Sequence, residues 1–310
     1  MTVERHAIPP GMRLHPLRSQ DLTASDIGAA VGVDPYRSAL RVYAEKAGEI
    51  LSDGESNIMR RGRWLETAAL EALREELPGW RIERANVYLR DPEVRLGATP
   101  DALAEDPEHP ERLINVQIKT VARPTYERDW ADDSTPLAYQ LQTLAEGFLL
   151  DADSSLLVAL VIDTYSADVV VREIARHAGA EQRIREVAAE FWENIAAGRR
   201  PAPDYGKDGE TIAAMFPPRP EVAPLDLGTD NRMLTLLIER RDLKVEQKAC
   251  EEDLAAIDAE IVDKLKGATS ATAGDWRITR KLEERKAYTV PAANRAVLRI
   301  RQLEEKEKAA

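Results

Sequence analysis

The sequence predicts an α/β fold: a mixed β-sheet core flanked by helices, followed by a C-terminal extension of helix and small β structure. Three observations carry this. Apolar residues recur at helical spacing through residues 21–77. The period then switches to strand-like alternation and short apolar runs, between 80 and 121 and again between 156 and 174. Beyond a cluster of prolines (Pro201, Pro203, Pro217, Pro218, Pro220, Pro224) the texture changes once more, to an apolar repeat of seven.

The elements follow in order. Thr23 or Ser25 can cap a helix through 26–33, which Gly32 and Asp34-Pro35 stop. A second helix spans about 38–46 and ends at Gly48. A third spans about 57–77, with Ile58, Leu65, Ala69, Leu73 and Leu77 on one face and Pro78-Gly79 at its end. Trp80, Ile82, Val87 and Leu89 read as strand, and Asp91-Pro92 as a turn. A second strand is expected over 96–103, a loop over 106–110 and a third strand over 113–121. A helix over 136–150 follows the cap candidates Ser134 and Thr135. The continuous apolar run at 156–165 suits a buried strand, with 169–174 as its hairpin partner. An amphipathic helix over 181–197 ends at Gly198 and Pro201. This order predicts one α/β domain over 1–205 and a Pro-rich linker over 206–224.

The extension covers 225–310. Leu236, Leu243, Cys250 and Ile257 are spaced by seven, and Leu254 and Ile261 follow two of them by four. That pattern is a coiled-coil-like seam, serving either packing within the domain, a helical hairpin or an oligomer contact. A small β hairpin is expected in 275–290, before a basic end.

Composition narrows the class. With 44% hydrophobic and 32% charged residues, the 310-residue chain is neither disordered nor fibrous. No apolar run approaches the length of a membrane span, and the N-terminus has no apolar core of a secretory signal, so a cytoplasmic protein is expected. The single cysteine, Cys250, leaves no intrachain disulfide and no cysteine-based zinc site. The net charge of -12 is unevenly placed: residues 101–210 hold 22 acids against 11 bases, whereas 275–310 hold 10 bases against 6 acids. A solvated acidic face accounts for this as well as carboxylates gathered around a metal do.

Glu66, Asp101, Gln117 and Lys119 fall at informative places. Gln117 and Lys119 are two apart on one expected strand, so they share a face. An Asp, a second oxygen ligand one strand away and a nearby Lys can bind a divalent cation and a phosphodiester, with the Lys orienting or activating the attacking water. Taken singly, each residue has an ordinary role: Glu66 as an exposed helix acid, Asp101 as a turn residue, Lys119 as a surface lysine, Gln140 and Gln142 as solvated side chains, Ser25 as a helix cap. The histidines show no ligand spacing.

The ordered set Gly62-x-x-x-Glu66, Thr99-Pro100-Asp101, Gln117-Ile118-Lys119 and Tyr139-Gln140-Leu141-Gln142 resembles the phage exonucleases of the PD-(D/E)xK superfamily, the lambda-exonuclease-like group. Thr23-Ala24-Ser25-Asp26-Ile27, Pro35-Tyr36-Arg37-Ser38 and Tyr43-x-Glu45-Lys46-x-Gly48 resemble the opening of its YqaJ-like viral recombinase nucleases. The resemblance spans about 17–203 and implies a restriction-endonuclease-like fold. It implies Asp101 as central metal ligand, Gln117 where an acid usually stands, Lys119 as catalytic lysine, Glu66 as a helix-borne acid completing the site, and Gln140 near the scissile phosphate or attacking water. It matches Asp91 to a further acidic, metal-site position, and Arg18, Ser25 and Thr99 to a 5′-phosphate pocket. The implied cofactor is Mg2+ or Mn2+. The implied substrate is an end of double-stranded DNA, digested from the 5′ end for phage-type recombination. The implied partners are a single-strand annealing protein and further copies of the chain, as a homo-oligomer such as a trimer. DNA would run along Arg60, Arg61, Arg63 and the basic end from Arg277 to Arg301, with binding that weakens with salt. The departure is Gln117: an amide oxygen can ligate but brings no charge, so the missing charge must come from elsewhere, Glu66 being the expected source. The alternative is a weak or inactive nuclease fold kept for DNA binding or recruitment.

Overall fold

The computed structural model describes residues 2–283, apart from 10, 13, 52, 53, 55 and 131–133, together with 298 and 300. Two compact units are present, Met1–Pro217 and Pro218–Ala310.

The first unit is built on two sheets. Strand β1 (Glu4–Ala7) comes first and was not legible in the sequence. A 3-10 turn at Pro16–Ser19 and the short β2 (Leu22–Thr23) lead into α1 (Ala24–Ala30) and α2 (Ala39–Lys46). Thr23 and Asp26 form a capping box at the start of α1, and Ser38 caps α2 by accepting from Arg41 N at 3.0 Å. Helix α3 (Asn57–Glu76) is capped by Ser56. Strands β3 (Arg81–Arg84) and β4 (Val87–Asp91) follow.

The expected single strand over 96–103 is two strands, β5 (Leu96–Ala98) and β6 (Ala102–Asp106). Thr99-Pro100-Asp101 break it, because Pro100 has no N–H to give a ladder and the chain there passes from one sheet to the other. Strand β7 (His109–Ala122) is longer than expected: a tight turn at 106–108 replaces most of the loop. The unforeseen α4 (Arg123–Asp129) starts with Pro124 in its first turn, where a missing N–H is harmless. Then come α5 (Leu137–Leu150), β8 (Ser154–Ile162), β9 (Ala167–Ala175) and α6 (Ala178–Ala196).

One sheet runs β1-β4-β5-β2 and the other β3-β6-β7-β8-β9. The pair β7–β8 is parallel, as a crossover through α4 and α5 requires, and the other pairs of the larger sheet are antiparallel. Strand β8 is buried from Ser154 to Val161, which explains its continuous apolar run. Helices α1, α5 and α6 pack against β4 and β5 around Ile27, Leu89, Leu96, Leu149 and Ile184, while α3 covers a face of the larger sheet through Leu70, Leu73, Val116 and Val158.

The expected linker over 206–224 is partly ordered. Helix α7 (Gly209–Met215) lies within it and joins the first unit, with Met215 packed on Leu40, Ala44 and Ile50, and Ser38 Oγ hydrogen-bonded to Asp208 Oδ1.

In the second unit, α8 (Asn231–Leu265) runs 35 residues. Leu236, Leu243, Leu254 and Ile257 of the seven-residue repeat are exposed in the single chain. Strand β11 (Trp276–Thr279) pairs with β10 (Ser270–Ala273), across a turn at Gly274 whose φ is +57°. The described partner of β11 is thus upstream of it, at β10. Residues 280–283 apart, the part of the expected hairpin beyond β11 and most of the basic end lie outside the described residues.

Candidate active site

Strand β7 places Asn115, Gln117 and Lys119 on one face, turned toward α5. Asp101 stands just before β6, next to that face. Its Oδ2 accepts from Ile118 N at 2.8 Å and from Gln117 Nε2 at 2.5 Å. The structure therefore joins Asp101, Gln117 and Lys119, the heart of the expected set. Gln117 is 3% exposed, and its Oε1 has no hydrogen-bond partner among the described residues.

Lys119 Nζ donates to Gln142 Oε1 at 2.7 Å and lies 4.9 Å from the centre of the Tyr139 ring. Gln142 Nε2 in turn donates to Glu146 Oε1 at 2.9 Å. These two bonds fix the Gln142 amide, since an ammonium needs its oxygen and a carboxylate needs its NH2. Gln140, the glutamine expected here, instead donates to Thr135 O at 2.7 Å.

Burial pushes the Asp101 carboxyl up to about 6, with Glu66 adding to the rise and the Ile118 N–H and Lys119 opposing it. Burial pushes Glu146 up to about 8, and Asp101 adds to it. Burial pulls Lys119 down, against the carboxylates of Asp101 and Glu146. A desolvated pocket holding more acid than base favours a cation.

Glu66 lies on α3, close enough for its charge to act on Asp101, and is paired with Arg84, which also donates to Thr67 Oγ1 at 2.9 Å. Asp91 is placed elsewhere. It is fully buried at the end of β4, where Oδ2 accepts from Arg185 Nε on α6 at 2.8 Å and Oδ1 from Glu93 N at 3.0 Å. Its carboxylate anchors α6 to the smaller sheet.

The three expected phosphate residues are linked. Arg18 Nη1 donates to Thr99 Oγ1 at 3.0 Å. Lys46 Nζ holds the carbonyls of Arg18 and Asp21 at 2.8 and 2.7 Å and pairs with Asp26 Oδ2 at 3.3 Å. Asp26 accepts from Thr23 Oγ1 at 2.7 Å, and Thr23 Oγ1 is 2.9 Å from Ser25 Oγ. Asp26 also pairs with Arg37, and Arg37 with Glu45. The N-terminal motif residues thus hold one another in a single ion-pair network. Ser25 is exposed, while Arg18 is near enough to Glu146 to act on its charge.

Sequence reasoning missed Tyr139, Gln142 and Glu146 as site residues. Their signal was available: they recur at three and four residues on α5, and Glu146 is an acid inside the apolar run around Ala145, Leu149 and Leu150.

Divalent cations such as Mg2+ take oxygen donors. Buried oxygens without partners are costly and are satisfied by such an ion, so Asp101 together with the Gln117 amide oxygen fits one. Among the described residues no three carboxylate, imidazole or thiol groups meet at ligand spacing, in keeping with an amide standing at 117.

Asp101 and Lys119 thus lie at one face of β7, within a mixed sheet covered by helices. Residues 14–146 match the family model of the YqaJ-like viral recombinase domain. Glu146 is the last residue matched. Among solved structures the chain is similar to an alkaline exonuclease from Laribacter hongkongensis, at 18% identity over 64% of this chain and 96% of that one, with a TM-score of 0.48. It is similar to a phage-related exonuclease from Haemophilus somnus 129PT at 14% identity, over 57% of this chain and 96% of that one, with a TM-score of 0.44. No curated protein matches the sequence.

Proposed function

We propose that the chain is a divalent-cation-dependent DNA exonuclease that digests linear double-stranded DNA from the 5′ end, in the service of phage-type recombination. The observation that carries this reading is the joined set Asp101, Gln117 and Lys119, with Lys119 held in place by Gln142. The family matched over residues 14–146 supports DNA as substrate.

Asp101 and Gln117 Oε1 would hold the cation, Mg2+ or Mn2+, with Glu66 reaching it through water. Once bound, the cation supplies charge to the scissile phosphate and acidity to a water. Lys119 has three N–H bonds and gives one to Gln142, so the others can orient the attacking water. Arg18, Thr99 and Ser25 would grip the terminal 5′-phosphate through charge-assisted and neutral hydrogen bonds. The first half of α3 is exposed and carries Arg60, Arg61, Arg63 and Trp64, with Arg60 over the Trp64 ring at 5.5 Å. A basic and aromatic surface beside Glu66 suits the DNA backbone. A ring of identical copies and a single-strand annealing protein would complete the recombination role.

The test uses a linear duplex labelled at either the 5′ or the 3′ end, with a 5′-phosphate or a 5′-hydroxyl. The reading predicts cation-dependent release of the 5′ label first, faster from the phosphorylated end. Arg18→Ala should remove that preference, costing roughly tenfold in kcat/KM on the phosphorylated end. Release of the 3′ label first, or equal rates on both ends, contradicts the polarity. Duplex that is bound but stays intact with either cation favours the recruitment reading.

A further inference from the structure

We propose that Glu146 supplies the second carboxylate of the cation site, from helix α5, in place of the acid that strand β7 lacks at Gln117. The inference rests on the reading of the site as a cation-dependent nuclease.

Glu146 is 1% exposed and is the one charged residue of α5. Among the described residues it forms no ion pair. Its Oε1 takes one hydrogen bond, from Gln142, and its Oε2 takes none. A buried carboxylate with one oxygen left open is not held for packing, because leucine or methionine would fill that space without the desolvation. Of the two cations whose charge reaches it, Lys119 gives its bond to Gln142 and Arg18 gives one to Thr99.

The contacts along α5 place this open oxygen. Lys119, toward the C-terminal end of β7, meets Tyr139 and Gln142. Asn115, four residues earlier, donates to Thr143 O and to Ser155 Oγ, and Gly147 packs against that same Ser155. Helix and strand therefore run in opposite directions across the shared face. Glu146, one turn after Gln142 and beside Gly147, therefore faces the stretch of β7 that carries Asn115 and Gln117. Gln117 has an open buried oxygen of its own. Unpartnered buried oxygens thus lie on both facing elements, Glu146 Oε2 on α5 and Gln117 Oε1 and Asn115 Oδ1 on β7, and the charge of Asp101 acts on Glu146. Glu66 was the expected source of the missing charge, but it is engaged by Arg84. Gln142 then acts in two ways. It tethers Lys119, and it spaces that lysine away from Glu146, so that the ammonium does not neutralise the carboxylate a cation needs.

The proposal is tested by calorimetric titration of Mn2+ into the full chain without DNA. Wild type, Asp101→Ala, Glu146→Gln, Gln117→Glu and the double variant Gln117→Glu/Glu146→Gln are compared, with folding checked by circular dichroism. The proposal predicts that Glu146→Gln weakens Mn2+ binding about tenfold or more, and that the double variant, with its acid moved back to β7, regains most of the loss. Mn2+ binding by Glu146→Gln equal to that of wild type overturns it. So does a double variant no better than Glu146→Gln. If Glu146→Gln does not fold, Glu146→Asp decides: it keeps the charge and shortens the reach, and unchanged binding counts against the proposal. A wild type that binds no Mn2+ overturns the nuclease reading and this proposal together, whereas failure of the Glu146 variants alone leaves that reading standing.

Discussion

Lys119 does not stand free beside Asp101. Its ammonium is tethered at 2.7 Å to Gln142 and lies over the Tyr139 ring, in a pocket whose burial favours the neutral amine. Gln142→Ala should therefore loosen the lysine, with kcat falling roughly tenfold to a hundredfold while KM changes little. Gln140→Ala should leave kcat within about twofold, because Gln140 is committed to Thr135 O. Steady-state kinetics on the two variants separates the adjacent glutamines. The motif Tyr139-Gln140-Leu141-Gln142 was legible as a unit, yet the choice between its glutamines was not, since helix phase relative to β7 decides it and no sequence spacing fixes that phase. That Gln117 and Lys119 share a face was legible because a strand of period 2 puts alternate residues on one side. Asp91 illustrates the converse: its partner Arg185 is 94 residues away, on α6, and only the fold brings them together.

At the scale of elements, the crossing of α1 and α5 is set by Gly28. A Cβ added there would lie 2.8 Å from Ala138 Cβ, closer than side chains approach. Gly28→Ala should push the helices apart and cost about 1–3 kcal/mol by denaturant unfolding, and it should also lower activity by moving Gln142 and Glu146. The capping box of α1 yields a pH prediction. Burial raises the Asp26 carboxyl, but Lys46, Arg37 and the Thr23 hydrogen bonds outweigh it and hold it down at about 2, from 3.8. A depressed carboxylate stabilises the fold above its unfolded pKa, and that contribution disappears as pH falls through the folded value. The stability difference between wild type and Asp26→Asn should therefore be full above pH 4 and shrink by on the order of 2 kcal/mol toward pH 2. A difference constant over that range would contradict the assigned network. The helices and the buried β8 were legible from periodicity and caps. Strand β1 and α4 were not: β1 has four residues and depends on pairing with β4, and α4 has seven with no strong apolar face. The break between β5 and β6 was signalled by Pro100 and overlooked in favour of the flanking apolar residues.

At the scale of the molecule, every candidate catalytic, cation-binding and 5′-phosphate residue belongs to the first unit, Met1–Pro217. A chain ending after Pro217 should fold cooperatively and keep cation-dependent cleavage, a prediction for calorimetry and digestion together. Loss of the fold on that truncation would assign the second unit a structural role. The exposed seam of α8 is the part of the molecule that the sequence marked and a single chain leaves uncovered.

The central claim is that Asp101 and Lys119 cut DNA with a bound cation although an amide stands at Gln117. Its most direct test is digestion of a linear duplex with 5′-phosphates by wild type, Asp101→Ala and Lys119→Ala, each with Mg2+, Mn2+ or chelator. The account predicts loss of the duplex with wild type and cation alone, and an intact duplex with chelator or with either variant. An intact duplex with wild type and both cations, from folded protein that binds the DNA, would contradict it.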